Sequence, residues 1–255
     1  MIRLVKRHQQ ECLRVMCSLN WRKFGGSIGL VFTRDESVLR AKALPPQRFS
    51  KAGVEYLMPV DPVGKGSWIS ANNKGMVFCL LNDYQGNMKP MSDKLVSRGA
   101  LIQKLAECAT LADAEDIINT WPYHQSQPFY LCVISLNDQF LWHFNGDKLL
   151  QKETLPEQLY SSGHPEVEKI KTLRSEFAKS QKISFVDDII KLHRAHEPEV
   201  DGDRAYSFCM HRAEACSQSM TVIEINQKNI EFKYWPGQPC EANLAQPIFK
   251  SLTIT

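Results

Sequence analysis

Cys17 follows Met16 and opens an apolar, alternating stretch that ends in Thr33-Arg34-Asp35-Glu36. If the functional chain starts at Met16 and that methionine is removed, Cys17 carries a thiol and a free α-amine on one residue. That residue then holds both nucleophile and base. An α-amine titrates near about 7.7–8.0 and a free cysteine near about 8.5, so modest environmental shifts decide how reactive each is at neutral pH. The competing reading of Cys17 is a small, buried strand residue.

Charge sets the first sixteen residues apart. Arg3, Lys6, Arg7 and Arg14 against Glu11 give a net of +3, equal to that of the whole chain, so everything from Cys17 onward is formally neutral. Lys6 to Glu11 interrupts any apolar core long enough for a signal peptide. Residues 1–16 therefore read as a propeptide, a basic tail or a start codon assigned too early. The last is favoured because no folded element is legible there. Residues 17–255 are expected to form one domain.

A chain of 255 residues with 43% hydrophobic content has ample material for a core. No run approaches the roughly 18 apolar residues of a membrane span. The balanced charge has no basic stripe, which argues against nucleic acid. Eight cysteines are irregularly spaced without a CxxC pair; they read as reduced thiols in a cytoplasm.

Periodicity places these residues on elements. Cys17 to Arg22 and Ser27 to Thr33 read as a hairpin around Gly25-Gly26. Ser67 to Ala71 and Met76 to Leu81 pair across Asn72-Asn73-Lys74-Gly75, where glycine supplies a positive φ. Gly99 to Cys108 and Ala112 to Trp121 have helical period, with Asp113 as a cap. Phe129 to Leu136, Gln139 to Asn145 and Lys148 to Lys152 read as a meander. Helices return at Glu166 to Ser180, after Pro165, and at Phe185 to His196, with Ser184 as its cap. Ser207 to His211, Met220 to Ile225 and Ile230 to Tyr234 read as strands. Leu44 to Leu57 and Pro122 to Pro128 are left as loops that wall a pocket. Sheet, helices, sheet, helices, sheet implies an α+β fold of two stacked antiparallel sheets covered by helix pairs.

Five motifs in order then point to a family: Met16-Cys17, Thr33-Arg34-Asp35-Glu36, Gly66-Ser67-Trp68-Ile69, Asn73-Lys74-Gly75 leading to Leu81-Asn82, and Ser97-Arg98-Gly99 opening a helix. Together they resemble the NRDE family, which includes the eukaryotic transport and Golgi organisation protein and is similar to N-terminal nucleophile (Ntn) cysteine hydrolases. The resemblance covers residues 16 to about 110 and thins afterwards. It implies a four-layer αββα sandwich and catalysis at Cys17, Arg34, Asp35 and Asn82, with no cofactor. Cys17 would attack an acyl carbon while its amine moves the proton. Arg34 would favour thiolate, and Asp35 would orient the α-ammonium. Neighbours on a strand point to opposite faces, so Arg34 and Asp35 both reach one site only where the strand ends or bends. Asn82 would donate to a developing oxyanion, or it belongs to an ordinary Asx turn. Glu36 reads as a solvated turn residue.

The chain also departs from the family pattern. Thr33 replaces an asparagine. A second asparagine expected mid-chain finds only Ser161-Ser162-Gly163 as its nearest match. A late arginine is missing from Ser217-Gln218-Ser219-Met220-Thr221, with Arg212 nearby.

Other motifs point elsewhere less strongly. His193, His196 and His211 offer metal-ligand types but read as surface histidines, so no metal is expected. Phe140, Trp142 and Phe144 alternate as in a sheet packed on both faces. Gly64, Gly66 and Gly75 form no nucleotide-binding pattern. Two functions remain: an amidohydrolase taking a small amide or acyl substrate through an acyl-Cys17 intermediate, and a carrier of haem or an acyl thioester on the same scaffold.

Overall fold

Residues 15–255 are described by a computed structural model, and the alternation along its strands sorts side chains into layers. β1 (Met16–Phe24), β2 (Ser27–Ser37), β10 (Gln158–Ser162), β11 (Ala215–Ile225), β12 (Asn229–Pro236) and β13 (Ile248–Thr253) form one antiparallel sheet, ordered β10-β1-β2-β11-β12-β13. The second sheet runs in chain order through β3 (Leu44–Lys51), β4 (Val54–Val60), β5 (Ile69–Asn72), β6 (Val77–Asn82), β7 (Phe129–Ile134), β8 (Gln139–Phe144) and β9 (Glu153–Thr154).

Leu19, Leu30, Phe32, Ile223 and Phe232 of the first sheet meet Leu57, Ile69, Val77, Cys79 and Leu81 of the second in the central core. The intervening residues face outward. Phe78 and Leu80 pack under α1 (Arg98–Ala106) and α2 (Leu111–Thr120). On the opposite side Val31, Met220 and Val222 pack under α4 (Val186–Arg194), and Met16 packs against Ile170 of α3 (Val167–Ser180). The order is thus helices, sheet, sheet, helices. Strands buried on both faces explain why polar residues such as Ser18, Asn20, Thr33 and Asp35 lie inside.

Several elements differ from expectation. Leu44 to Leu57 holds the β3–β4 hairpin; its prolines sit at a register irregularity of an edge strand, where the missing N–H costs no ladder bond. Ser207 to His211 is not a strand and makes only an isolated His211–Cys216 bridge. Lys148 to Lys152 is likewise a connection, and the short β9 follows it. β10 and β13 fall in segments without clear alternation. Thr110 rather than Asp113 caps α2, while the Asp113 carboxylate reaches back to the Thr110 N–H. Ser184 does not cap α4; Asp188 accepts from the Ser184 and Phe185 N–H groups. Val15 and Met16, placed in the separable N-terminal segment by charge, join the sheet: Met16 pairs with Ser162, and the Val15 carbonyl accepts from Gly163. The rest of that segment, 1–14, lies outside the described residues.

Two motif positions are architectural. Gly75 closes the β5–β6 turn at φ +78°, and the buried Asn72 ties that turn to α1 by donating to the carbonyls of Ala106 and Cys108. Gly66 and Gly99 meet backbone to backbone: a Cβ on Gly66 would lie 2.4 Å from the Gly99 carbonyl carbon. The Gly-Ser-Trp-Ile and Arg-Gly motifs are therefore two sides of one contact. Gly66→Ala should destabilise the protein by about 1–3 kcal/mol, the usual cost of overpacking, and a urea midpoint equal to that of the parent would contradict this.

Candidate active site

The β1–β2 hairpin places Cys17 directly opposite Arg34, and β10 places Ser161 on its other flank. Cross-strand partners share a face, so the Cys17 sulfur, the Arg34 guanidinium and the Ser161 hydroxyl all lie on the inter-sheet side. There a cavity of about 1160 Å³ opens, lined by Cys17, Arg34, Asp35, Glu36, Asp61, Trp68, Asn82, Tyr84 and Arg98. All four residues assigned to catalysis from sequence reach this one cavity.

Arg34 is held on three sides. It pairs with Glu36 at 2.8 Å, approaches Asp61 at 3.6 Å and lies 4.5 Å above the Trp68 ring. Glu36 is not a solvated turn residue: it lies within β2, lines the cavity and also faces Arg40 at 3.7 Å. Asp61 fixes Arg40 at 2.6 Å while its other oxygen accepts the Val63 and Gly64 N–H groups. Burial raises the Asp61 pKa, but these bonds outweigh it and hold the carboxyl below its usual range. Two carboxylates therefore aim the arginine next to the thiol.

Asp35 faces the other way, towards the helices, as strand alternation requires. It still lines the cavity, at a point where the β2–β11 ladder is irregular: Ser217 pairs with Asp35 and Ser219 with Arg34, leaving Gln218 as the extra residue of a bulge on β11. Ser217 donates to Asp35 Oδ1 at 2.5 Å, and Oδ2 is buried without a partner. Burial pushes the Asp35 pKa up to about 7, against the opposing pull of Arg174 and the Ser217 bond.

Arg174, a residue the sequence reading passed over, supplies that pull. Its side chain is fully buried under β1; it donates to the Tyr206 carbonyl at 3.0 Å, to Ser18 Oγ at 2.6 Å and to the Ser207 carbonyl. The buried stripe of α3 is Val167, Ile170, Arg174 and Ala178. Helical spacing alone put Arg174 on that stripe. It is a buried cation near Asp35. Arg212 instead pairs with Glu214.

Asn82 sits at the end of β6, where its amide donates to the Tyr84 hydroxyl at 2.7 Å. The Asx turn in this segment belongs to Asp83, whose Oδ1 accepts from Gln85. Ser161, the poor match for the second asparagine, has a buried hydroxyl with no partner, so a donor lies beside Cys17 without an amide.

Burial pushes the Cys17 thiol up to about 12, aided by the Asp35 charge; Arg34 and the Asp35 N–H pull it down but do not prevail. With Met16 in place the sulfur is a protonated thiol.

His193 corrects the reading of surface histidines. It is fully buried between Thr33 Oγ1 at 2.7 Å and Asn20 Oδ1 at 2.9 Å, an arrangement suited to a neutral ring protonated on Nε2. Burial, with Arg174 nearby, lowers its pKa to about 3. His193 thus costs stability as pH falls from about 6.5 towards 3, because the unfolded chain binds its proton first. Asp35 runs the other way: its contribution is present below about 4 and is lost as pH rises through 7. Asp35→Asn should stabilise the protein at pH 8 and expose the His193 acid limb that Asp35 masks in the parent. Urea midpoints from pH 4 to 8 that run parallel for the two proteins would refute this.

Comparison with known proteins bears on the architecture. The family model for Transport and Golgi organisation 2 matches residues 26–234. The chain belongs to the Transport and Golgi organisation 2 family. No curated protein matches it in sequence. Among solved structures, an N-acylethanolamine-hydrolyzing acid amidase ortholog from Caenorhabditis elegans aligns with a TM-score of 0.54 at 11% identity, over 81% of this chain and 92% of its own. A mutant conjugated bile acid hydrolase from Clostridium perfringens aligns with a TM-score of 0.50 at 10% identity, over 92% and 96%. The αββα layering of this Transport and Golgi organisation 2 member is therefore that of Ntn hydrolases, a likeness of fold alone. No helix among the described residues is long and apolar enough to cross a membrane.

Proposed function

We propose that the protein is an Ntn-type amidohydrolase that acts on a small amide or acyl compound through an acyl-Cys17 intermediate, once residues 1–16 have been removed. The observation that carries this reading is the buried, unpartnered Oδ2 of Asp35, one residue along β2 from the partner of Cys17. Met16 and Asp35 both face the helices, and Met16 Sδ lies 4.0 Å from Arg174. Loss of Met16 vacates space on that side and creates an α-ammonium that Asp35 can bind and that gives one proton to solvent to leave a neutral amine. The amine then accepts the proton of Cys17, and Arg34 stabilises the resulting thiolate. Asn82, which lines the cavity, and Ser161, beside Cys17 on β10, would donate to the oxyanion, and each donor removed should lower kcat by about 10²-fold or more.

Intact-mass analysis of the protein recovered from its native cells tests the processing step. The expected chain begins at Cys17. Active protein that retains Met16 would overturn the mechanism.

A second reading, carriage of haem or an acyl thioester, is favoured by the other wall of the cavity, where Met88, Pro90, Met91, Leu95 and Val96 face the site. A thiol held near 12 in the chain retaining Met16 suits binding better than catalysis. Haem titration followed by absorbance tests it: a spectral shift at micromolar haem supports the carrier, and no shift removes haem as its ligand.

A further inference from the structure

Four side chains from three separate segments converge on the helix side of the first sheet, away from the cavity. His196 follows α4, Cys209 and His211 lie in the connection before β11, and Cys240 lies in the short 3-10 turn 239–241 after β12. One ligand atom from each falls within 4.8 Å of all the others. His211 Nε2 is 3.4 Å from Cys209 Sγ and 3.3 Å from Cys240 Sγ. The His196 and His211 rings meet edge to face at 4.9 Å, and His196 Nε2 is buried without a hydrogen-bond partner.

We propose that His196, Cys209, His211 and Cys240 bind one zinc ion in a closed, structural Cys2His2 site. The donor set is the one tetrahedral Zn²⁺ prefers. With Zn–S near 2.3 Å and Zn–N near 2.0–2.1 Å, sulfur and nitrogen at tetrahedral angles lie about 3.5 Å apart, close to the two spacings observed. A zinc ion also supplies the partner that the buried His196 nitrogen lacks; buried polar atoms rarely go unpaired. Both thiols lose their protons to solvent on binding. Four protein ligands leave no open position for substrate, so the role is architectural.

The site's segments are already preset by the backbone. The Cys209 N–H donates to the Ala195 carbonyl at 2.8 Å, which sets Cys209 beside His196. Arg194 donates to the carbonyls of Cys240 and Ala242 at 3.0 and 3.1 Å. The loop carrying two of the ligands also serves the cavity: Met210 exchanges hydrogen bonds with Ser217, the residue that holds Asp35, and the Tyr206 and Ser207 carbonyls hold Arg174. Zinc would clasp the segment on which both buried charges rest.

Metal analysis of the full chain, expressed with zinc and dialysed under reducing conditions, tests the proposal. One zinc per chain is expected, falling close to zero in Cys240→Ala and in His211→Ala but unchanged in Cys216→Ala, whose sulfur lies outside the set. The parent loaded with cobalt(II) provides a reading independent of how the variants fold: intense visible bands of a tetrahedral thiolate site support the proposal. A parent that binds neither metal, a Cys209–Cys240 disulfide persisting in reductant, or full zinc retention in Cys240→Ala would overturn it.

Discussion

Cys17→Ala, made in a chain that begins at residue 17, is expected to abolish acyl-enzyme formation and to lower amide turnover by about 10⁴-fold or more, the scale seen when a nucleophile is removed from a preorganised site. The magnitude follows from what the residue combines. Substitution removes the sulfur and leaves the amine nothing to deprotonate, so the two groups fail as a unit. Cys17→Ser separates the roles further, since an alcohol retains the shape but is harder to ionise. Haem binding, if the cavity carries it, should survive both changes, because the apolar wall of Met88, Met91 and Leu95 is untouched. A Cys17→Ala protein that turns over at the parental rate would place the chemistry elsewhere.

Arg174→Met should destabilise the fold by about 3–5 kcal/mol, the usual cost of removing one partner from a buried charged network. Methionine preserves much of the apolar stem but leaves the Tyr206 and Ser207 carbonyls and the Ser18 hydroxyl without their donor. It also strips Asp35 of the cation that holds its pKa down. Arg174→Lys should fall between, since one ammonium cannot reach all three acceptors in the geometry of the planar guanidinium. Adding Asp35→Asn to Arg174→Met should recover part of the loss, and the size of that recovery measures the coupling between the two charges. A loss below about 1 kcal/mol in the single variant, typical of an exposed ion pair, would show that Arg174 is not structural.

The layers were readable because buried strands and amphipathic helices leave different periods. The two hairpins at Gly25-Gly26 and Asn72 to Gly75 and all four helices among the described residues stand where the pattern puts them. Edge strands were not readable. β3 carries Pro45 and Pro46, and β13 alternates only loosely, since a strand with one neighbour needs less of the ladder. For the site, the cluster Thr33-Arg34-Asp35-Glu36 was legible as a motif, but the bulge that lets adjacent residues serve one cavity lies on the partner strand, at Gln218. Arg174 was hidden because α3 is rich in lysine and glutamate and reads as solvated until its buried stripe is traced. His193 was misread for the opposite reason: a histidine in a polar helix end looks exposed, and only Thr33 and Asn20 on the sheet below show that it is held inside. The Cys2His2 cluster spans 45 residues and two connections, too dispersed for a spacing motif to reveal.

Peptide mapping of a reactive acyl probe on two forms of the protein, one retaining residues 1–16 and one beginning at Cys17, tests the central claim most directly. The shortened form should carry a single acyl group on the Cys17 sulfur, and the longer form, whose thiol burial holds protonated, should remain unlabelled there. Equal labelling of Cys17 in both forms, or an adduct on another cysteine alone, would contradict a mechanism built on a terminal amine and sulfur acting together.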